Sequence, residues 1–346
     1  MPKKENAPGP NQNQRNIIVI GASAGGVEAL IKIARLFPRV DASLLAVLHT
    51  GRNGPGVLPT VLSRYSRHLS IKAARDGLEL RSGHLYIAVP DYHLVLEHGY
   101  MRLVRGPVEN RHRPSVDALF RSAARSYGAR VIGVVLSGYL DDGSAGLHSI
   151  KKAGGVAVVQ DPDDALVPGM PESAIATTAV DYVVSMEQIP ELLGHLASEQ
   201  VKEGERATAV SAGKNGNGDE VIDPKGAPSA YTCPECHGTL WEVTEGNLLR
   251  YACRVGHSFS VESMLQDQSD SAERAVWAAL RALEERADLS RRMAERSRMG
   301  GLHYVANRYT ELAASAGSDA AVLRRLLLEN RPMQTHERHD DLAETA

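Results

Sequence analysis

The stretch from Arg15 to Leu30, RNIIVIGASAGGVEAL, constrains the fold more than any other part of this chain. Its β-branched residues 17–20 predict a buried strand, and a helix with periodic apolar residues follows the glycine-rich turn. This order places Ser23 at the carboxyl edge of a parallel strand, where its hydroxyl would be exposed. Two interpretations are open at this point: Ser23 is a nucleophile, or the turn binds an anion at the helix N-terminus.

Apolar strand-like runs alternate with helical patterns from residue 15 to about residue 199, which is typical of a doubly wound α/β fold. We therefore predict a mainly parallel sheet with helices on both faces. The clearest strands are residues 17–20, 44–48, 131–136, 156–159 and 182–184. We interpret HLYIAV, HLVLEH and MRLV, between residues 83 and 104, as a β-hairpin insertion.

Length and composition set the remaining organisation. The 346 residues, 43% hydrophobic, can form one α/β core and a smaller module. A net charge of -3 gives no general attraction to nucleic acid, and no apolar run is long enough for membrane insertion. The polar N-terminus has no apolar signal region, which indicates a cytoplasmic protein.

The composition shifts along the chain predict its domain boundaries. We expect a disordered tail over 1–14, an α/β domain over 15–200, a flexible linker over 201–229, a zinc-ribbon-like module over 230–265, a helical element over 270–330 and a disordered tail over 331–346.

A histidine and two aspartates follow other predicted strands. His49 ends the second strand, and Asp141 and Asp142 follow the strand near residue 135. Because the carboxyl ends of parallel strands meet at one edge of a sheet, we expect these residues near Ser23. A serine hydrolase needs a hydroxyl, an imidazole and a carboxylate. Taken singly, His49 has a simpler interpretation as a hydrogen-bonded strand-end residue, and the aspartates as a helix N-cap.

Several motifs, in order, resemble the catalytic domain of the chemotaxis receptor methylesterases of the CheB type. They are GASAGGVEAL, the histidine that closes the second strand, NRHRPSVDALFRSAA, LSGYLDDGSAGL and VPGMPESAI, within about residues 15–197. Members of this family hydrolyse γ-glutamyl methyl esters on the cytoplasmic helices of receptors, and many also deamidate glutamines there. The resemblance implies the same hydrolase activity on a methylated chemoreceptor-like protein, with no cofactor for catalysis.

The resemblance also implies roles for individual residues. By motif, Ser23 is the nucleophile, His49 the base and Asp142, directly before Gly143, the aspartate of the triad. Ser23 would attack the ester carbonyl while His49 accepts its proton and later activates water, and methanol would leave.

Substrate contacts are expected around the same edge. Amide groups at Ala24 and Gly25, and near Tyr139, would stabilise the oxyanion. In the NRHRP segment, Arg113 is our first candidate for a cationic lip that meets an acidic receptor helix. The alternative for this segment is a helix start with Ser115 as its N-cap and solvated basic residues.

Three departures from the family pattern qualify these expectations. Gly138-Tyr139-Leu140 stands where Gly-Met-Gly is usual, and Thr50-Gly51 where Met-Pro is frequent. No phospho-receiver domain precedes the α/β domain here, so we expect the activity to be regulated by other means. The same triad acting on an ester or amide outside chemotaxis, and a non-catalytic scaffold, are the alternative interpretations.

The three cysteines of the chain lie in one metal-ligand pattern. Cys233-x2-Cys236 is followed by sixteen residues and then by Cys253-x3-His257, which predicts a structural Zn2+ with four ligands. His237 is an alternative fourth ligand, and a metal-free remnant is the alternative for the whole module. A unit of about 30 residues has too small a core to fold well without the metal.

Residues 271–298 predict a helix with one apolar face, and after Gly300-Gly301 residues 304–329 predict one or two further helices. Their charged outer faces indicate a helical hairpin or a coiled coil. The element can pair with another chain, as a basis for self-association or for binding a signalling partner, or it can fold back on its own domain. The pattern alone does not distinguish these arrangements.

Overall fold

A parallel sheet forms the centre of the α/β domain. The computed structural model describes residues 13–50, 56–97, 99–201, 226–245 and 248–329. The strands of the α/β domain are β1 (Ile17–Ala22), β2 (Ser43–Leu48), β3 (Ser70–Ala73), β4 (His84–Ile87), β5 (His93–Glu97), β6 (Tyr100–Val104), β7 (Val131–Val135), β8 (Val156–Gln160) and β9 (Tyr182–Val184). Seven of them form one sheet in the order β3-β4-β2-β1-β7-β8-β9, in which every neighbouring pair is parallel.

Helices cover both faces of this sheet, as predicted. They are α1 (Gly26–Leu36), α2 (Leu58–Ser63), α3 (Val116–Tyr127), α4 (Ser144–Lys152), α5 (Gly169–Thr177) and α6 (Ile189–Ser198). Alternate residues of β1 point to opposite sides, because side chains in a strand alternate. Ile18 belongs to the core that contains Ile33 of α1 and Leu193 of α6, whereas Val19 belongs to the core that contains Phe120 of α3.

The predicted hairpin insertion is correct for two of its three segments. HLVLEH and MRLV supply β5 and β6, which pair antiparallel as a separate ribbon. HLYIAV is not part of this insertion: it supplies β4, a parallel strand between β2 and β3 in the main sheet. The apolar faces of this short strand are both covered, since Leu85 and Tyr86 are each buried in a different core.

A second, antiparallel sheet follows the α/β domain. Its strands, in spatial and chain order, are β10 (Ala227–Thr232), β11 (Thr239–Glu245), β12 (Leu248–Cys253) and β13 (Ser258–Ser260). β10 begins inside the stretch predicted as a linker, and residues 202–225 of that stretch lie outside the described residues. The described residues up to Leu265 form one compact unit, which contains both the parallel and the antiparallel sheet.

The second compact unit, residues 266–346, consists of helices in its described part. Helix α7 (Val261–Met299) starts earlier than predicted, because Met264 packs in the small core of the antiparallel sheet. It ends before Gly300, and α8 (His303–Glu329) follows. Within the second unit, Arg298 donates to Thr310 Oγ1 at 2.8 Å across the two helices. No helix in the described ranges combines the length and apolar composition that crossing a bilayer requires.

Candidate active site

Ser23 lies in the turn directly after β1. Gly25 in this turn has a φ of +80°, and a Cβ on Gly21 would lie 2.2 Å from Val116 Cγ1. The missing side chain at Gly21 therefore lets the first residue of α3 approach the end of β1. The Ser23 amide donates to the Ser137 carbonyl at 3.0 Å, which fixes the turn to the segment after β7.

His49 follows β2, the strand next to β1. The parallel register pairs Ala22 with Leu48, so Ser23 and His49 are the next residues on two neighbouring strands. The His49 amide also donates to the Ala22 carbonyl at 3.2 Å. Both residues therefore lie at the carboxyl edge of the sheet, where ligands bind in open α/β folds.

The imidazole of His49 is bound to the carboxylate of Asp142. Nε2 lies 2.9 Å from Oδ2, and the two side chains are 5% and 2% exposed. Nδ1 is buried and has no hydrogen-bond partner among the described residues. With Nε2–H directed at a carboxylate, Nδ1 is the basic nitrogen. The hydrogen bond between Ser23 and this nitrogen is not formed in this conformation, which is common without substrate.

Asp142 is held by four further donors. These are the Ser115 hydroxyl at 2.9 Å, the Val116 amide at 2.7 Å, the Asp117 amide at 3.1 Å and the Asn110 side-chain amide at 3.2 Å. Burial opposes a charge on this carboxyl. The hydrogen bond and charge of His49, the charge of His112 and the Val116 amide outweigh it and hold the pKa of Asp142 well below its usual range. The carboxylate is therefore charged when it orients His49.

Asp141 has a different environment. It accepts hydrogen bonds from the hydroxyls of Ser260 at 2.8 Å and Ser263 at 3.2 Å. Burial raises the pKa of its carboxyl to about 7. Among the described residues no hydrogen bond joins it to His49, so the geometry favours Asp142 as the partner of the imidazole.

Neither of these aspartates is the N-cap residue of α4. The N-cap residue of α4 is Gly143, and the amides of Gly143 and Gly146 donate to Asp117 Oδ1 at 3.1 and 2.6 Å. Asp117 is buried in the first turn of α3. Its burial and the nearby charge of Asp142 raise its pKa.

Two residues touch the His49–Asp142 pair in a way that the sequence did not predict. The ring of His112 stacks on the ring of His49, with centroids 3.6 Å apart and planes 8° from parallel, and Asn110 binds the carboxylate. Asn110 and Arg111 have φ angles of 46° and 69°, and Glu109 and His112 exchange backbone hydrogen bonds. This tight turn places the ring of His112 over the ring of His49. An asparagine, which tolerates a positive φ, was the available signal for it.

The two side chains predicted to contact the substrate, Tyr139 and Arg113, differ in their exposure to solvent. Tyr139 is 62% exposed. Arg113, by contrast, is engaged: its side chain is 14% exposed, and it donates to Asp91 Oδ1 at 3.0 and 2.5 Å and to the Gly106 carbonyl at 2.7 Å. These contacts favour a role for Arg113 in holding two loops together over direct contact with a substrate.

The turn after Ser23 is held by a hydrogen bond to its Ala24 carbonyl. The Ser137 hydroxyl donates to the Ala24 carbonyl at 2.7 Å and accepts from the Val167 amide at 2.9 Å. Leu140, where the resemblance leads us to expect glycine, has a φ of 60°.

The predicted metal ligands converge in the antiparallel sheet. The ligand atoms of Cys233, Cys236, Cys253 and His257 all lie within 4.8 Å of one another. Cys236 Sγ is 3.7 Å from Cys253 Sγ, and His257 Nδ1 is 3.7 Å from Cys233 Sγ and 3.5 Å from Cys253 Sγ. Metal–ligand bonds of about 2.3 Å to sulfur and 2.0 Å to nitrogen give such separations around a tetrahedral Zn2+. These residues fit the ion, and His237 is not among them.

Fold and site together define a class: a doubly wound α/β protein with a serine and a histidine–carboxylate pair at the carboxyl edge of its sheet. The family model described as CheB methylesterase matches residues 18–193. The chain belongs to the CheB methylesterase family.

Individual relatives agree with this assignment. A Leptospira interrogans protein, provisionally named protein-glutamate methylesterase/protein-glutamine glutaminase, is 42% identical over 177 residues, or 51% of this chain and 91% of its own length. The protein-glutamate methylesterase/protein-glutamine glutaminase of Chromohalobacter salexigens is 38% identical over 200 residues. The match covers 56% of this chain and 56% of that protein.

A solved structure has the same fold. The crystal structure of the Thermotoga maritima CheB methylesterase catalytic domain is similar with a TM-score of 0.50 and 34% identity, and the match covers 52% of this chain and 98% of that chain. The prediction of this family and of its α/β fold is therefore confirmed.

Proposed function

We propose that this protein is a protein-glutamate methylesterase that hydrolyses γ-glutamyl methyl esters on a methylated chemoreceptor-like protein. The observation that carries the proposal is the 2.9 Å contact between His49 and Asp142, formed next to Ser23 at the carboxyl edge of the sheet. The names of the relatives give the reaction. Receptor methylation sites on cytoplasmic helices would require a cytoplasmic enzyme.

The reaction follows from the roles of three side chains. Ser23 Oγ attacks the ester carbonyl, and its proton moves to His49 Nδ1. Asp142 holds the other ring proton and offsets the charge of the imidazolium. The tetrahedral intermediate then collapses: the bond to the methoxy oxygen breaks, and His49 gives that oxygen its proton, so that methanol leaves. His49 next takes a proton from water, and the hydroxide attacks the acyl carbon. The second tetrahedral intermediate then collapses: the bond to Ser23 Oγ breaks, and His49 returns its proton to this oxygen.

The negative oxygen of each tetrahedral intermediate needs donors. The amides of Ala24 and Gly25 follow the nucleophile directly in the turn that precedes α1 and would supply two of them, and Tyr139 is exposed in the segment after β7. Amides fixed in advance stabilise such an oxygen, typically by about 3 kcal/mol for each donor. The same machinery would release ammonia from a glutamine amide, which supports glutaminase activity on the receptor as well.

Methanol release tests the proposal. Receptor membranes carrying labelled methyl esters are incubated with the wild-type chain, with Ser23→Ala and with Ser198→Ala, a control whose hydroxyl donates to the Gly194 carbonyl in α6. We expect the wild type and Ser198→Ala, the variant in α6, to release methanol and Ser23→Ala to release none. If the wild type releases none but a serine-reactive phosphonate labels Ser23, the substrate is another ester or amide. If neither signal occurs, the fold serves as a scaffold.

The Cys3His cluster supports a second, structural proposal: it binds Zn2+ as a closed four-ligand site. Its ligands lie at the two turns that join β10 to β11 and β12 to β13, so the ion would cross-link all four strands. Purified full-length chain should contain about one zinc per chain, and Cys236→Ser should lose it. Retention of zinc by that variant would exclude the cluster as the site.

A further inference from the structure

The antiparallel sheet that carries the metal cluster pairs with the loop beside the candidate triad. The Asn110 amide donates to the Ser258 carbonyl at 2.8 Å, and the Ser258 amide donates to the Val108 carbonyl at 3.4 Å. Glu109 and Ser258 form a parallel bridge. An ion pair reinforces the contact, because Arg250 of β12 lies 3.5 Å from Glu109. β13 is therefore also a strand partner of the loop that leads into α3.

The side chain of Asn110 connects this pairing to the triad. Its Oδ1 accepts the Ser260 amide at 3.0 Å, and its Nδ2 donates to Asp142 at 3.2 Å and to Asp117 at 2.8 Å. Asn110 is only 2% exposed, so water cannot replace these hydrogen-bond partners. One amide group thus joins the antiparallel sheet to the carboxylate that orients His49.

Two further contacts act on the same pair. The hydroxyls of Ser260 and Ser263 hold the carboxylate of Asp141, the residue next to Asp142 in the chain. The turn that begins at Asn110 carries His112, whose ring stacks on His49. Asp142 is therefore supported by Asn110, which β13 contacts, and His49 is supported by His112, in the turn that begins at Asn110.

The metal cluster is adjacent to these contacts. His257, a predicted ligand, directly precedes Ser258, and its carbonyl accepts the Cys253 amide at 3.0 Å. The cluster thus fixes the first residue of β13. Since a sheet this small has little core of its own, removal of the metal would free β13 together with its contacts.

We infer that Asn110 and Ser260 are positioning residues for the proposed triad, and that Zn2+ in the Cys3His cluster supports His49 and Asp142 through the segment from Ser258 to Ser263. The inference rests on the proposed triad and is independent of which ester the enzyme hydrolyses. It gives the zinc-ribbon-like module a positioning role: with its metal bound, the module holds the residues that orient His49 and Asp142.

The test compares full-length variants in two measurements. One is the rate at which a serine-reactive phosphonate modifies Ser23, and the other is the tautomer of His49, read from its ring 15N chemical shifts. The samples are zinc-loaded wild type, wild type after chelation of zinc, Asn110→Ala and the double variant Ser260→Ala/Ser263→Ala. Ser229→Ala is the matched control, since its hydroxyl binds the Leu240 carbonyl within the antiparallel sheet. Zinc content is measured in every sample.

We expect the zinc-loaded wild type and Ser229→Ala to hold His49 in the tautomer with the proton on Nε2. Chelation and Asn110→Ala should mix the tautomers and slow the labelling of Ser23 by about 10- to 100-fold, as loss of supporting hydrogen bonds does around metal ligands. Asn110→Ala should do so with its zinc retained. The double variant should retain its zinc and show a smaller effect in the same direction.

The inference would be overturned if the chelated protein and Asn110→Ala both kept the His49 tautomer and the labelling rate of the zinc-loaded wild type. A wild type that binds no zinc would overturn its metal part. If Ser23 is never labelled, but the His49 tautomer responds to chelation and to Asn110→Ala, the proposed hydrolase function fails while the structural coupling stands.

Discussion

Asp117 and Asp142 cap each other's helices. Asp142, in the loop before α4, accepts the amides of Val116 and Asp117 in the first turn of α3. Asp117 accepts the amides of Gly143 and Gly146 at the start of α4. Amides at a helix N-terminus lack partners within the helix and favour negative groups. The residue that orients His49 is thus also a link between two helices.

Replacement of Asp117 should therefore destabilise the α/β domain. In Asp117→Ala the amides at the start of α4 lose their acceptor while still buried, and the Asn110 side chain keeps only Asp142 of its two carboxylate acceptors. We expect the free energy of unfolding to fall by about 2–4 kcal/mol, the sum of a lost cap and buried unpaired donors. Urea unfolding measures this change. Asp288→Ala, at an exposed position on α7, is the control and should change it by less than about 0.5 kcal/mol.

Asp142→Asn should abolish most of the activity. The asparagine keeps the shape of the side chain, but it cannot offset the charge of the imidazolium, and its amide favours the wrong tautomer of His49. We expect kcat for ester hydrolysis to fall by about 10^3- to 10^4-fold. Initial rates with a methylated receptor substrate at saturating concentration measure it. Near-normal turnover by this variant would show that another carboxylate serves His49.

Asp141 should make the stability of the chain fall as pH rises. The pKa of its buried carboxyl is about 7, against an ordinary value of 3.8. Between these pH values the folded chain keeps a proton that the unfolded chain has released, so stability decreases with rising pH and the loss is complete above pH 7. From pH 5 to pH 8 we expect a loss of about 2–3 kcal/mol from this group.

Asp141→Asn removes that titration and should flatten the dependence. The measurement is the difference in unfolding free energy between the variant and wild type at several pH values, with Asp288→Asn as the control. A difference that is constant from pH 5 to pH 8 would show that Asp141 has an ordinary pKa in the folded chain.

Two glycine replacements should have opposite effects. Gly21→Ala places a methyl group 2.2 Å from Val116 Cγ1 and would push the start of α3 away from β1. We expect a loss of about 1–3 kcal/mol of stability, together with reduced activity. Gly317→Ala, in α8 with nothing within 4 Å, should gain up to about 1 kcal/mol from helix propensity. Thermal unfolding of both variants tests the pair, and a stabilising Gly21→Ala would contradict the packing.

The sequence predicts the buried strands of the sheet well and its edge poorly. β1 and β7 are short, continuous apolar runs that end at glycine-containing turns. Their length and flanking residues therefore identify them as buried strands. β3 is half-buried and exposed at the edge of the sheet, and β4 alternates like a hairpin strand, so neither carries a local signal for a parallel partner. Such pairing depends on distant residues, which no local pattern contains.

The candidate site divides in the same way. Ser23, His49 and Asp142 each end or follow a strand, and strand-end positions can be read from the chain. The contact of Asn110 with Ser260, by contrast, joins residues 150 positions apart. The choice between Asp141 and Asp142 also depends on tertiary contacts, since the two carboxylates are neighbours in the chain and differ only in the donors around them.

The most direct measurement is to map, by mass spectrometry, the residue that a serine-reactive phosphonate modifies in the full-length chain. We expect modification at Ser23, at a rate that falls sharply in His49→Ala and in Asp142→Asn and is unchanged in Ser198→Ala. Modification at another serine, or modification of Ser23 at the wild-type rate without His49, would contradict it.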